Sequence, residues 1–219
     1  MKIIEPSFEL STMFGKLSPY TGERMLRFIE KQARISHRSE ERQTRSTWKR
    51  FIEANVIGHG DWSVVEHASV TATIRTDRGI THELVRHRLF SFTQESTRFV
   101  RHSNEFEFTY PIEAPEDKYG TWRRTMVTCQ ESYKQLLREG WRPEEARSVL
   151  PTAFASTISV TGNLRSWRLL FLMRASRETH PDFRRITIPM LAEFQKNVPL
   201  LYDDIVPGQR QVDNLRMAR

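Results

Sequence analysis

Arg86, His87, Arg88, Ser91, Ser96 and Arg98 fall within thirteen consecutive positions, Arg86-His87-Arg88-Leu89-Phe90-Ser91-Phe92-Thr93-Gln94-Glu95-Ser96-Thr97-Arg98. These residue types suit anion binding. Guanidinium forks pair with phosphate oxygens two at a time, serine hydroxyls add donors, and imidazole hydrogen-bonds in either protonation state. The chemistry points first to a phosphorylated small molecule; a solvated basic face is the other reading of such a run. Leu89, Phe90, Phe92 and Phe99 interleave with the polar groups. Part of the strip is therefore expected to be buried, and a buried guanidinium needs an anionic partner.

Other residues have both a functional and a plain reading. Leu164, Trp167, Phe171 and Arg174 recur at spacings of three and four, which puts Arg174 in line with an apolar helix face. It is there either for function or as a cation snorkelling at a helix C-terminus. Arg147 has the same two readings. His59, between Gly58 and Gly60, is a pocket-rim residue or a solvated loop histidine. Glu66-His67 does not make a metal pair, because adjacent helical side chains diverge and no third ligand stands at the right spacing. No metal is expected. Cys129, the single cysteine, lies in a helical pattern without a nearby histidine and reads as a small buried hydrophobe rather than a nucleophile. No P-loop or Gly-x-Gly-x-x-Gly turn is present, so side chains and helix ends must hold any nucleotide.

After a short N-terminal strand, Gly22 to Ser36 reads as a helix, and Ser39 to Val56 as a second one stopped by Gly58-His59-Gly60. Ser63 is placed to cap a short turn. Ala68, Val70, Ala72 and Ile74 alternate with polar residues as in a half-buried strand, closed by Asp77-Arg78-Gly79. Ile80 to Val85 is a short helix before the basic strip. Phe106 to Tyr110 reads as a strand, Pro115 to Glu139 as a long amphipathic helix, and Pro143 opens a short helix holding Arg147. Phe154 to Val160 is a strand, Asn163 caps a helix to Ser176, and Pro181 to Tyr202 is a last helix kinked at Pro189. The irregular mixture favours an α+β fold with a central antiparallel-rich sheet over a doubly wound one.

At 219 residues the chain suits a single domain over 1–219, with a core from about 20 to 202 and a tail from 203 to 219. The net charge of +7 raises nucleic-acid binding as a rival. Acidic residues interspersed along the chain argue against it, and no nucleic-acid partner is expected. No apolar stretch reaches membrane-spanning length and Met1 to Pro6 starts no signal peptide, so a cytoplasmic protein without a membrane partner is expected. One cysteine agrees with a reducing compartment.

Arg86-His87-Arg88, seven intervening residues and Ser96 resemble the defining motif of the flavin-dependent thymidylate synthases, the ThyX family, with Ser91 and Arg98 standing in its longer form. Further segments agree in order: Ala33-Arg34-Ile35-Ser36, Gly58-His59 with Ser63-Val64-Val65-Glu66-His67, Ala146-Arg147 with Val149-Leu150-Pro151, and Asn163-Leu164-Arg165 followed by Arg174. The resemblance implies a homotetramer of α+β subunits with active sites at subunit interfaces. It also implies FAD, NADPH as reductant, and 5,10-methylenetetrahydrofolate as the carbon donor that converts dUMP to dTMP. It places FAD on Ser36, His59, Ser63, Glu66, Arg86, His87, Arg88, Asn163 and Arg165. It places dUMP on Glu83, Arg86, Gln94, Glu95, Ser96, Arg98, Arg147 and Arg174, with Arg174 as the activating, catalytic residue. A guanidinium at the uracil N3–O4 edge would do what a cysteine nucleophile does in ordinary thymidylate synthases.

Glu83 stands where the family often has Gln, Phe99 where Tyr is frequent, Thr93 where Asn occurs and Leu169 where some members use an Asn against FAD. Two alternatives stay open: a flavin-dependent methyl- or hydroxymethyltransferase acting on another uracil substrate, and a basic nucleic-acid-binding protein.

Overall fold

The structure, a computed structural model, describes residues 1–102, 106–210 and Asp213. Of the tail expected over 203–219, residues 211, 212 and 214–219 lie outside the described residues. The strands are β1 (Lys2–Ile3), β2 (Ser7–Thr12), β3 (Gly15–Lys16), β4 (Ser69–Asp77), β5 (Ser91–Gln94), β6 (Glu107–Phe108) and β7 (Ala155–Asn163). The helices are α1 (Pro19–Arg34), α2 (Trp48–Phe51), α3 (Arg78–Leu84), α4 (Tyr119–Arg138), α5 (Pro143–Ala146), α6 (Leu164–Arg174) and α7 (Pro181–Asn197). A π-helical turn follows α2 over Ile52–Gly58, and 3-10 turns include Ile35–His37, Trp62–His67 and Arg147–Val149. A five-stranded sheet runs β3-β2-β4-β7-β5 and β1 pairs with β6, so the fold is mixed α+β as expected. The tight pairing of β2 with β3, antiparallel with Ser11 opposite Lys16, was not among the expected elements. Gly15, at φ +109°, allows its turn.

The residues gather into two compact units. Among the described residues, the first comprises those within Met1–Phe8, Thr73–Arg86 and Phe92–Ser159, and the second those within Glu9–Ala72, His87–Ser91 and Val160–Arg219.

In the first unit, α4 buries Met126, Gln130, Tyr133 and Leu137, one helix stripe at spacings of four, three and four. Cys129 lies beside this stripe and is half-buried rather than buried as its residue type suggested. Phe106, Phe108 and Phe154 complete this core, with Phe106 and Tyr133 edge-to-face at 5.4 Å. Lys2 and Ile3 pair in parallel with Glu107 and Phe108, a shorter strand than the expected 106–110. Asp77 does more than close β4: it caps α3 by accepting from Ile80 N at 2.9 Å and also accepts from Thr109 Oγ1 at 2.9 Å.

The second unit is organised around α1, α6 and α7. Ser18 and Thr21 form a reciprocal cap on α1, and Pro19 occupies its first turn. Met25, Leu26 and Ile29 face inward. A Cβ built on Gly22 would lie 1.7 Å from the backbone oxygen of Asn197, so α1 and the end of α7 approach too closely for any side chain. Trp167 and Phe171 of α6 stack at 5.8 Å, and Phe194 meets Phe171 and Tyr202 edge-on at 5.0 and 5.2 Å. Helix α7 runs through Pro189 and stops at Asn197 rather than Tyr202. Pro199 pushes the residue before it out of the helical region, and Val198 sits at φ −129°, ψ 68°.

The expected helix over 39–56 is broken. Thr47 Oγ1 accepts from Thr44 N at 3.0 Å and Thr44 Oγ1 from Ser46 N at 3.4 Å, so hydroxyls take the backbone donors that helix formation needs. Helical structure resumes only at Trp48. Ser63 does not cap its turn: Asp61 precedes Trp62–His67, and no side chain caps that end.

Candidate functional site

The residues expected at FAD, Arg86 apart, all fall in the second unit. Asn163 ends β7 and its Oδ1 accepts from Ser166 N at 2.8 Å, starting α6. Two residues on, Arg165 Nη1 donates to Glu66 Oε1 at 2.7 Å. Both partners are about half exposed, and an exposed pair of this kind orients side chains more than it stabilises the fold. Ser36 sits past the end of α1, its Oγ donating to Ala33 O at 2.9 Å and touching His37 Nδ1 at 3.0 Å. His59, Ser63 and Arg88 are exposed.

Arg174, at the last position of α6, donates from Nε to Nε2 of His87 at 2.9 Å. Its guanidinium also lies 5.1 Å from the ring centroid of Phe183. Burial, and next the charge of Arg174, hold the His87 pKa down to about 4. His87 is therefore neutral at physiological pH, and accepting at Nε2 leaves its proton on Nδ1. Arg174 is half-buried and faces His87.

Ser36 also lines a cavity of about 750 Å³ with Arg34, Arg42, Arg50, Ser46 and Asn55. Among these, Arg34 is tied to the fully buried Glu30 at 2.7 Å. Apart from the segment around Arg34 and Ser36, this lining had no signal in the sequence, because α2 and the loop before it did not form the helix their periodicity suggested.

The residues expected at dUMP, apart from Arg174, fall in the first unit. Gln94 Nε2 donates to Thr81 Oγ1 at 2.9 Å and to Ser156 Oγ at 3.2 Å, which fixes its side chain between α3 and β7. Ser96 Oγ accepts from Arg98 N at 3.1 Å, and Arg98 Nε is paired with Glu144 Oε2 at 2.7 Å. Arg147 is exposed on the 3-10 turn after α5, Glu83 is half-buried on α3, and Arg86 is exposed past the end of α3.

Glu95 is held by residues that the sequence did not single out. Its Oε2 accepts from Arg75 Nη1 at 2.8 Å and from Thr157 N at 3.1 Å. Arg75 reaches the other way to Glu107 Oε2 at 2.8 Å, and this hydrogen bond, the largest influence on Glu107, lowers its pKa. Arg78 is a second residue not foreseen. Burial is the main cause of its lowered pKa, the charge of Arg147 comes next, and Glu95 opposes both. Two guanidiniums thus share one electrostatic neighbourhood beside a carboxylate. A charged residue on the polar face of an alternating strand was the available signal for Arg75, but its partners lie 20 and 32 positions away. Among the described residues no group of acidic, histidine or cysteine side chains could hold a metal ion. None of the described helices is long and apolar enough to cross a membrane.

Arginine clusters served by hydroxyls and a neutral imidazole, on an α+β scaffold, have the chemistry that suits phosphate groups. A family model described as thymidylate synthase complementing protein matches residues 16–200. The flavin-dependent thymidylate synthase of Pyrococcus abyssi is 35% identical over 151 residues, 66% of this chain and 62% of that protein. That of Corynebacterium efficiens is 36% identical over 168 residues, 68% of this chain and 67% of that protein. The match thus spans about two thirds or less of these relatives' lengths. In fold, the chain is similar to a UMP/dUMP methylase, PolB from Streptomyces cacaoi, bound with 5-Br dUMP. The TM-score is 0.72 at 22% identity, over 93% of this chain and 96% of that one. The chain belongs to the thymidylate synthase complementing protein family, as the motif resemblance implied.

Proposed function

We propose that the protein is a flavin-dependent thymidylate synthase, converting dUMP to dTMP with 5,10-methylenetetrahydrofolate as carbon donor and FAD, reduced by NADPH, as hydride carrier. The observation that carries this reading is the bond from Arg174 to neutral His87, which joins the motif to the expected activating arginine in one unit. The reading includes a homotetramer in the cytoplasm, with active sites completed at subunit interfaces.

Of the residues assigned to the flavin, Ser36 lines the cavity, and the cavity supports the reading on two counts. A cavity of about 750 Å³ has room for a large nucleotide cofactor, and its arginines and hydroxyls suit a diphosphate. Ser36, Glu66, His87, Asn163 and Arg165 would hold it with His59, Ser63, Arg86 and Arg88. When bound and reduced, it supplies the hydride that turns a transferred methylene into a methyl group.

The chain's own residues do the rest. Arg78, Arg147, Ser96 and Arg98 bind phosphate, the last after exchanging Glu144 for it. Gln94 and Glu83 line the nucleotide. Arg174 stabilises negative charge on uracil as C5 becomes nucleophilic, a preorganised interaction of the kind worth about 3 kcal/mol per donor. His87 fixes the Nε edge of that guanidinium. Cys129, on α4 away from all these residues in sequence, has no part in this.

The test is formation of dTMP from dUMP, methylenetetrahydrofolate and NADPH, with and without FAD. Flavin-dependent dTMP is expected; a colourless protein that gains no FAD on titration, or a product other than dTMP, overturns the reading.

A further inference from the structure

Strand β7 carries a glycine, Gly162, one residue before its end, and its backbone does not ask for one: Gly15, Gly60, Gly140 and Gly208 have positive φ, and Gly162 does not. A glycine inside a strand weakens it and marks a place where another group comes close. At Gly162 that group is an aromatic ring. A Cβ built there would lie 2.4 Å from both Cδ1 and Cε1 of Phe90 and 3.2 Å from its Cγ, so no side chain fits beside the ring as it stands. The ring also meets Trp167 edge-on, with centroids 4.8 Å apart and planes at 78°. Trp167 is itself fixed, fully buried and donating from Nε1 to Val70 O at 3.0 Å.

Phe90 closes the turn that His87 opens, Phe90 N donating to His87 O at 3.3 Å. Arg88 and Leu89 between them are exposed, and so is Ser91, which leaves Phe90 to seat this end of the turn. His87 seats the other end through its bond with Arg174. The turn therefore lies along α6, with Phe90 on Trp167 in the first helical turn and His87 on Arg174 at the last position. Those two helix positions are about 10 Å apart along the axis. The main chain of Arg174 is held separately, by Thr187 Oγ1 donating to Arg174 O at 2.7 Å. All these residues belong to the second unit.

We propose that Phe90 is a positioning residue for the reaction: its ring, seated against the bare Cα of Gly162, sets the place from which His87 fixes the guanidinium of Arg174. Phe90 acts through His87 and does not touch the ligands. The kinetic consequence rests on the synthase reading above; the placement of His87 does not.

The experiment follows the His87 ring by NMR in the histidine-labelled full chain without flavin, its signal identified by loss in His87→Gln, and dTMP formation by the same variants loaded with FAD. In the wild type the ring should titrate near 4. Gly162→Ala, whose methyl displaces the Phe90 ring, and Phe90→Ala, which removes it, should each bring the titration up toward 6.5. Each should lower kcat by about ten- to a hundredfold, the scale of a misplaced reacting group, with KM for dUMP changed less. Phe90→Leu should retain part of both properties. Because the two changes act through one contact, the double variant Gly162→Ala, Phe90→Ala should be no worse than Phe90→Ala alone. A ring that still titrates near 4 in both folded single variants, or losses of kcat that add in full in the double variant, overturns the proposal. If Gly162→Ala does not fold, the titrations of Phe90→Ala and Phe90→Leu decide. If the wild type forms no dTMP while the titrations move as stated, the synthase reading falls and the positioning of His87 by Phe90 stands.

Discussion

Arg174 and His87 stand 87 positions apart and meet at 2.9 Å, guanidinium Nε donating to imidazole Nε2. The contact requires His87 to be neutral, since a protonated ring has no lone pair to offer. Burial and the arginine's own charge both favour that state, so geometry and electrostatics agree.

The first prediction concerns pH. His87 has a folded pKa of about 4 against an ordinary value of 6.5, so the unfolded chain binds the proton more readily than the folded one. Its contribution to stability is complete above about pH 6.5 and is lost as pH falls through about 4. The His87 ring should titrate well below 6.5 by NMR, and His87→Gln should flatten this part of the stability profile. A ring titrating at or above 6.5 would contradict the contact.

Replacing Arg174 separates binding from activation. Arg174→Ala should abolish dTMP formation while the flavin spectrum of the purified protein persists. Turnover within about tenfold of wild type, roughly 1.4 kcal/mol of barrier, would remove the activating role. Arg174→Lys should not restore it, because a point charge cannot reproduce a planar fork donating to His87 and the base at once.

Cys129 provides the converse. It is a half-buried free thiol on α4. Cys129→Ala should form dTMP at close to the wild-type rate, measured in the same assay. Loss of turnover in a folded, flavin-loaded variant would reopen the question of a cysteine nucleophile.

A stability prediction comes from Arg168, whose side chain is only 6% exposed and is paired with Asp204 through both carboxylate oxygens. Its Nη1 also donates to Leu201 O at 2.7 Å. Asp204→Ala leaves the cation buried without its counter-charge, and urea denaturation should show a loss of about 3 kcal/mol. A change under about 0.5 kcal/mol would mean that Leu201 O and the Trp62 ring, 4.4 Å from the guanidinium, suffice.

Much of the scaffold was legible because it follows local periodicity. β4, α4 and α6 appear close to where alternation and three-to-four spacing placed them, and Asn163 caps α6 as its residue type suggests. The segment from Ser39 to Val56 misled, since its hydroxyl side chains compete for backbone donors and apolar spacing carries no record of that competition. The β2–β3 pairing was missed because β3 has only two residues, too short to show a period.

At the site, residue types and spacing in one stretch of chain suggested an anion-binding role for Arg86, His87, Arg88, Ser96 and Arg98 and carried the resemblance to the family whose model matches residues 16–200. Only the tertiary structure decided which of these groups are engaged by other side chains. It turned His87 toward Arg174, Arg98 toward Glu144 and one oxygen of Glu95 toward Arg75. Hydrogen bonding and charge act over a few ångströms in space, and the chain places partners at those distances only after strands and helices from distant parts of the sequence have packed.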